Sequence, residues 1–168
     1  SKQDIWIRDV ARGVDSRATF GAGNNICPLW SPDGTRIVFA SDRNGPFDLY
    51  EKAASGHGEE TLLVKSDEVK IPSRWSPDGR FILYSSQHNK TDFDIWALPT
   101  SDEGKPVPVL AGPFREVHAK FSPDGRYVAY TSNESGRIEI YVQTFPEPGG
   151  KWQVSSAGGN DASWSGDG

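Results

Sequence analysis

Residues 74–86 read RWSPDGRFILYSS: an aromatic residue, a Ser-Pro-Asp-Gly turn signal, and a run of alternating apolar positions. Proline presets φ at the second position of a type I turn, aspartate suits the third, and glycine adopts the left-handed conformation that follows. From Phe81 to Ser86 the residues alternate with a period of two and are β-prone. The stretch therefore predicts a β-hairpin.

The same pattern returns along the chain at nearly constant spacing. Its aromatic residues lie 45, 46 and 43 residues apart, at Trp30, Trp75, Phe121 and Trp164. A second marker, an acidic residue followed by an aliphatic and an aromatic one, begins at Asp4, Asp48, Asp94 and Glu139. A period in the mid-forties is typical of propeller blades or helical arrays. Because the local chemistry favours hairpins, we predict a β-repeat array.

The predicted fold is all-β: an array of about four four-stranded antiparallel blades, expected as part of a larger ring. We treat residues 1–168 as one partial β-propeller domain. Its blade units are approximately 1–20, 24–66, 69–111 and 115–156, with 160–168 starting a further unit. The expected fourth strands of the four units are Arg17–Phe20, Glu60–Lys65, Val107–Leu110 and Lys151–Ser155.

The chain stops at Gly168, within the fourth turn signal. We expect a truncated array. The alternative is a homodimer in which two chains pair their open blade edges, because unpaired strand edges invite association.

The amino-acid composition argues against several classes of function. The net charge is −5 with the two signs interspersed, which argues against a nucleic-acid partner. No apolar run approaches the length of a membrane span, so we expect no membrane insertion. Cys27 is the only cysteine, so no intrachain disulfide can form. No signal peptide is visible, and the compartment is left open.

The repeat P-x-W-S-P-D-G, followed by an alternating strand and by D-I/L-Y/W, resembles the TolB-like (WD40-like) β-propeller repeat. Residues 28–50, 73–96, 119–141 and 162–168 carry the resemblance. It implies a bacterial propeller module; TolB itself has a six-bladed ring that binds a protein partner. Related propellers lie beside the catalytic domain of prolyl-oligopeptidase-type peptidases. Residues 140–152, IYVQTFPEPGGKW, also resemble propellers attached to bacterial Ser/Thr kinases or winged-helix regulators.

The repeated residues have structural explanations. We expect the aromatic residues of both markers, Trp6 and Trp30 among them, to pack between neighbouring sheets. The turn aspartates Asp33, Asp78, Asp124 and Asp167 can accept backbone N–H bonds, which explains their identity without catalysis. The acids that open the second marker are expected to bond to the preceding loop rather than to form a metal ring. We predict no catalytic residue, no metal site and no cofactor.

The segments that lead into each WSPDG strand differ from copy to copy, as a binding face on a common scaffold would. We predict that they form an exposed rim that binds a protein or peptide, or a small ligand in the channel. The candidate rim residues are Asn24, Asn25, Asp67, Glu68, Lys70, Arg115, Glu116, His118, Asn160 and Asp161. The leading hypothesis is a non-catalytic interaction or sensing module; the alternative is a propeller segment of a larger hydrolase that gates its catalytic domain.

Overall fold

The structure, a computed structural model, describes residues 2–88, 92–101, 104–147 and 149–166. This part of the chain forms antiparallel β-sheets and includes no helix with the length and hydropathy of a membrane span. It divides into two compact units, residues 1–72 and 73–168, which we describe separately.

Unit 1 contains a two-stranded sheet and a four-stranded sheet. The first pairs β1 (Trp6–Asp9) with β2 (Val14–Arg17). The second follows chain order, with β3 (Asn25–Trp30), β4 (Arg36–Ser41), β5 (Asp48–Ala53) and β6 (Thr61–Val64).

Unit 2 contains two four-stranded sheets. The first runs in chain order through β7 (Val69–Trp75, which crosses the unit boundary), β8 (Phe81–His88), β9 (Asp92–Pro99) and β10 (Val107–Leu110). The second comprises β11 (Glu116–Phe121), β12 (Tyr127–Ser132), β13 (Glu139–Thr144) and β14 (Lys151–Gln153). The predicted four-stranded antiparallel sheets are confirmed.

The Ser-Pro-Asp-Gly turns join the first two strands of each four-stranded sheet as predicted. In the first copy the Ser31 hydroxyl donates to Asp33 Oδ1 at 2.6 Å, and the Thr35 amide donates to the same oxygen at 3.0 Å. The Gly34 amide closes the turn on the Ser31 carbonyl at 2.9 Å, and Gly34 has φ +70°. The copies at Asp78 and Asp124 repeat these bonds, which confirms the structural role of the aspartates. Asp167 lies outside the described residues.

Each unit has its own apolar core. In unit 2, Phe121 on β11 packs in a cluster with Leu83 on β8 and Ala97 on β9. Tyr130 and Tyr141 stack within the same cluster, with ring centroids 5.7 Å apart. The predicted packing of the repeated aromatics is therefore confirmed at Phe121 and Tyr141.

The same prediction is wrong at two tryptophans of unit 1. Trp6 is 61% exposed and Trp30 is 50% exposed. Trp30 is the counterpart of Phe121, which packs on a second strand of the preceding sheet. The sheet of β1 and β2 has no strand equivalent to β8 in the described residues, so Trp30 lacks that packing surface.

One strand is also displaced from its predicted position. The second strand of the first sheet covers Val14–Arg17 instead of Arg17–Phe20. The reason is the turn before it: the Gly13 amide bonds to the Asp9 carbonyl at 2.8 Å and Gly13 has φ +67°, so the strand begins directly afterwards. Thr19 is then free to donate to Asp4 at 3.2 Å.

Candidate ligand-binding cleft

The segments that lead into the inner strands contain left-handed residues other than glycine. Cys27, His118 and Asp161 occupy the same repeat position and have φ of 52°, 57° and 57°. Around the first two, the strand pairing shifts register between Ile26 and Leu29 and between Val117 and Lys120. This conformation is uncommon outside glycine and costs energy, and it concentrates at functional positions. The repeat pattern places these three residues at equivalent positions, but nothing in the sequence predicts their left-handed backbone conformation.

In unit 2 this geometry borders a cleft, which we call the polar cleft. It has a volume of about 310 Å³. Its lining residues are Asp92, Arg115, Val117, His118, Thr131, Ser132, Asn133, Ile138 and Asn160. Three of the ten predicted rim residues, Arg115, His118 and Asn160, thus meet in one cavity.

Arg115 supplies the positive charge of the polar cleft. Its Nε lies 3.6 Å from Asp92 Oδ2, and its guanidinium lies 5.7 Å from the centroid of the Phe93 ring. The Arg115 backbone amide donates to Asn133 Oδ1 at 3.0 Å, which fixes the start of the strand. Both partners of the ion pair are about half exposed, so the pair is weak and can exchange for a ligand group.

His118 and Asn160 also line the polar cleft, and their side chains contact each other. The His118 Nδ1 and Asn160 Oδ1 atoms are 3.0 Å apart. The next residue, Asp161, is held outside the lining by an ion pair to Lys120 at 2.6 Å, and its amide donates to Thr131 Oγ1 at 3.3 Å. Because the side-chain oxygens of Asn133 and Asn160 already have protein partners, their amide groups are the parts that can bind an acceptor.

Unit 1 has different chemistry at the corresponding positions. Asn24 takes the place of Arg115, and its amide donates to Asp42 Oδ1 at 2.5 Å, where unit 2 has Asn133. Cys27 takes the place of His118 and is exposed. An arginine and a histidine at these two positions are therefore a feature of the unit 2 copy of this segment.

Comparison with known proteins identifies the repeat. The TolB beta propeller domain matches residues 1–107, which is more than half of the chain. The chain belongs to the TolB β-propeller family. The four-stranded sheets are thus blades of a propeller, and the resemblance stated from the repeat is confirmed.

Individual relatives agree with this assignment. The uncharacterized peptidase YuxL of Bacillus subtilis is 37% identical over 81 residues, which are 48% of this chain and 12% of the relative. A putative TolB from Agrobacterium tumefaciens superposes with a TM-score of 0.75 at 21% identity, over 86% of this chain and 52% of that structure. A prolyl endopeptidase structure gives 0.64 at 15% identity, over 93% and 27%. The chain therefore spans only a part of the proteins it matches.

Three predicted rim residues of this TolB-type propeller are buried, so the prediction that they are exposed is wrong. They are Asn25, Lys70 and Glu116, at the position where the inner strand begins. Asn25 Nδ2 donates to Asp4 at 3.2 Å, and Lys70 Nζ donates to Asp48 at 2.9 Å. The physical reason at Asn25 and Lys70 is that this position meets the acid of the third strand of the preceding blade, where a buried donor needs an acceptor. Glu116 occupies the same position on β11, and burial raises the pKa of its carboxyl group to about 7.

The third-strand acids are hydrogen-bond acceptors, but most of their donors lie in the segments that follow them, so the prediction that they bond to the preceding loop is wrong. Asp48 accepts from Lys70 and from the Ser66 amide at 3.3 Å. Glu139 accepts from the Ser155 hydroxyl and from the Gly158 amide at 3.0 Å, and these bonds, with Arg137, hold the pKa of Glu139 below its usual value. Within the described part of the chain, no three His, Cys, Asp or Glu side chains are grouped so that they could hold a metal ion.

The remaining predicted rim residues lie at the surface of unit 1. Asp67 is exposed, while Asn24 and Glu68 are half-buried. Asn24 is tied to Asp42 through its side chain at 2.8 Å, and the Glu68 carbonyl accepts from Lys70 at 2.7 Å. Asp42 and Asp92, the acids that these segments pair with, were missed because each belongs to a loop or strand end outside the variable segment.

Proposed function

We propose that this TolB-type propeller chain is a non-catalytic binding module, and that its polar cleft binds a carboxylate group of a polypeptide partner. The observation that carries the proposal is the convergence of Arg115, His118, Asn133 and Asn160 on one cavity of about 310 Å³. Arginine binds carboxylates through two parallel N–H donors, and charge-assisted bonds of this kind are about twice as strong as neutral ones.

The apolar part of the cleft suits a neighbouring side chain of the same ligand. Ile138 is 48% exposed and lines the cleft with Val117. A polypeptide offers both features, since a carboxylate and an apolar side chain follow one another at a chain end or in an acidic segment. Asp92 would be displaced from Arg115 as the ligand carboxylate takes its place.

The test is fluorescence anisotropy with a fluorescein-labelled decapeptide that ends in Glu-Leu with a free carboxylate. A second peptide ends in Gln-Leu-amide and carries neither charge. We expect the wild-type chain to bind the acidic peptide at least about 10-fold more tightly, which corresponds to about 1.4 kcal/mol. Arg115→Gln should abolish the difference, while Asp92→Asn should increase the affinity for the acidic peptide.

Arg80→Gln is the matched control, because it removes an exposed arginine of unit 2 that does not line the cleft. It should bind both peptides as the wild type does. Equal binding of the two peptides by the wild type, or an unchanged preference in Arg115→Gln, would refute the carboxylate site.

A second candidate function is supported by two of the comparisons. The Bacillus subtilis relative is named a peptidase, and a prolyl endopeptidase is among the structural neighbours. In this alternative the propeller is a segment of a larger hydrolase. A fluorophosphonate probe, which labels activated serines, should then label the longest natural protein that carries this sequence; the binding-module proposal expects no labelling.

A further inference from the structure

The accessible polar side chains along β11 are all basic. Arg115 directly precedes the strand, and His118 and Lys120 lie within it. The acid of the strand, Glu116, is buried. In β3, the corresponding strand of unit 1, the accessible residues are apolar side chains and one cysteine, namely Ile26, Cys27, Pro28, Leu29 and Trp30. The row of basic side chains is thus specific to the strand that borders the polar cleft.

Two accessible acids of unit 2 pair with the two ends of this row. At its start, Arg115 Nε lies 3.6 Å from Asp92 Oδ2. Near its end, Lys120 Nζ lies 2.6 Å from Asp161 Oδ1 and 3.4 Å from the Ser163 hydroxyl. The carboxylates of Asp92 and Asp161 are 48% and 58% exposed, so water competes for both and neither ion pair is strong. Carboxylates of a ligand can therefore take both positions.

An additional positive charge lies near Asp161. Arg74 on β7 is exposed, and its guanidinium group has no ion pair or hydrogen bond in the part of the chain that the structure describes. Lys120 and, less strongly, His118 and Arg74 hold the pKa of Asp161 below its usual value. Three basic side chains thus act on the position of a single carboxylate, which keeps a net positive charge there.

The distance between the two carboxylate positions suits an extended polypeptide. Arg115 and Lys120 are five positions apart in the sequence. The register shift between Val117 and Lys120 places three residue steps of β11 opposite two of β12, which shortens the path. At about 3.3 Å per strand residue, the two basic residues are therefore on the order of 13 Å apart. An extended ligand covers this distance in about four residues.

We infer that β11 binds an extended acidic segment of a polypeptide, with one carboxylate at Arg115 and a second, about four residues away, at Lys120 and Arg74. The inference rests on the proposed function and defines its ligand more closely, as a segment with two acids at a set spacing. The second carboxylate displaces Asp161, as the first displaces Asp92. Charge-assisted bonds from an ammonium and a guanidinium group then replace one internal ion pair.

The test is fluorescence anisotropy with labelled decapeptides that end in Glu-Leu with a free carboxylate. Three of them carry a second glutamate two, four or seven residues before the first, and a reference peptide has glutamine at all three places. Salt at about 150 mM screens exposed charges that are more than about 8 Å apart. The wild-type chain should bind the four-residue spacing about 5-fold more tightly than the reference, which corresponds to about 1 kcal/mol. The other spacings should gain less than about 2-fold.

Variants assign the gain to individual side chains. Lys120→Gln should remove the gain and keep the preference for the Glu-Leu end that depends on Arg115. Arg74→Gln, at an exposed position, should reduce the gain even if Lys120→Gln impairs folding. Asp161→Asn should raise the affinity for the four-residue peptide, because it removes the competing charge and asparagine tolerates the φ of 57° at this position. Lys105→Gln removes an exposed lysine just before β10 and is the control that should bind the series as the wild type does.

The outcomes separate this inference from the proposed function. No gain at any spacing, or equal gains at all three, would overturn the inference, since equal gains mean unspecific attraction. A gain that is unchanged in both Lys120→Gln and Arg74→Gln would overturn it as well. If the wild type has no preference for the acidic Glu-Leu end but shows the gain that depends on Lys120, the carboxylate position at Arg115 alone is refuted.

Discussion

At the scale of single residues, Lys70 and Arg115 differ in burial, although the sequence predicted both on an exposed rim. Lys70 is 2% exposed and bonds to Asp48, Ser66 and Glu68, whereas Arg115 is 49% exposed on its side chain. Removing one partner of a buried ion pair leaves an uncompensated charge, which costs about 3–5 kcal/mol. The two residues should therefore respond differently to the same substitution.

We predict that Lys70→Glu lowers the free energy of unfolding by at least about 3–5 kcal/mol, because a second carboxylate is then buried beside Asp48. Arg115→Glu should change it by no more than about 0.5 kcal/mol, as is usual at exposed positions. Urea unfolding by tryptophan fluorescence measures both. A Lys70→Met, Asp48→Asn double variant should recover part of the loss seen in Lys70→Met alone, and tolerance of Lys70→Glu would show that the pair is not buried.

His118 offers a second prediction at this scale, since its φ of 57° suits glycine better. We expect His118→Gly to keep or raise the stability, by up to about 1 kcal/mol, while His118→Ala keeps the strained backbone. The same glycine variant should bind the acidic peptide more weakly than the wild type. His57→Gly, at an exposed residue without positive φ, is the control and should bring no gain. Marked destabilisation by His118→Gly would mean that the side chain contributes more than the strain removes.

At the scale of elements, the Ser-Pro-Asp-Gly turn makes the stability of the fold depend on pH in the acidic range. The Ser122 hydroxyl and the Arg126 amide donate to Asp124, and these bonds lower the pKa of Asp124 to about 2 from 3.8. A depressed pKa means that the ionised form stabilises the folded state above pH 3.8, and that this stability is lost as the pH falls through about 2.

We therefore predict that Asp124→Asn destabilises the chain at pH 7 and that its difference from the wild type shrinks between pH 4 and pH 2. Asparagine keeps an oxygen for the turn bonds but has no charge to lose, so its profile should be flatter in this window. Urea midpoints across pH 2–7 measure the effect. Asp67→Asn, at an exposed aspartate, should run parallel to the wild type, and a constant Asp124→Asn difference down to pH 2 would contradict the argument.

The elements that could be predicted from sequence are those fixed by local chemistry. The turn at Asp78 and the strand after it need only neighbouring residues, so one copy suffices to predict them. The burial of Lys70 depends instead on Asp48 of the preceding blade, which lies 22 residues earlier in the chain. The left-handed backbone at His118 arises from a shift in strand register, which a single strand cannot reveal. The polar cleft was thus predicted only in part, through Arg115, His118 and Asn160.

At the scale of the whole molecule, unit 1 exposes an apolar surface, and the tendency of the chain to self-associate depends on whether this surface is covered. Trp6, Phe20 and Trp30 are each at least half exposed. Among the described residues β1 pairs only with β2, so its other edge is open to a further strand. Open edges beside exposed aromatic side chains promote association.

We predict that the isolated chain self-associates in a concentration-dependent way, because both the open edge of β1 and the nearby tryptophans lose water on contact with a second chain. Light scattering after size exclusion, from about 5 to 500 μM, should show a rising mass. Trp6→Ser combined with Trp30→Ser should suppress the rise without loss of folding, since these side chains are exposed. Trp152→Ser removes an equally exposed tryptophan of unit 2 and serves as the control that leaves the association unchanged. A constant monomer mass for the wild type would show that the edge of β1 does not recruit a second copy, and the search for partners would then turn to the polar cleft of unit 2.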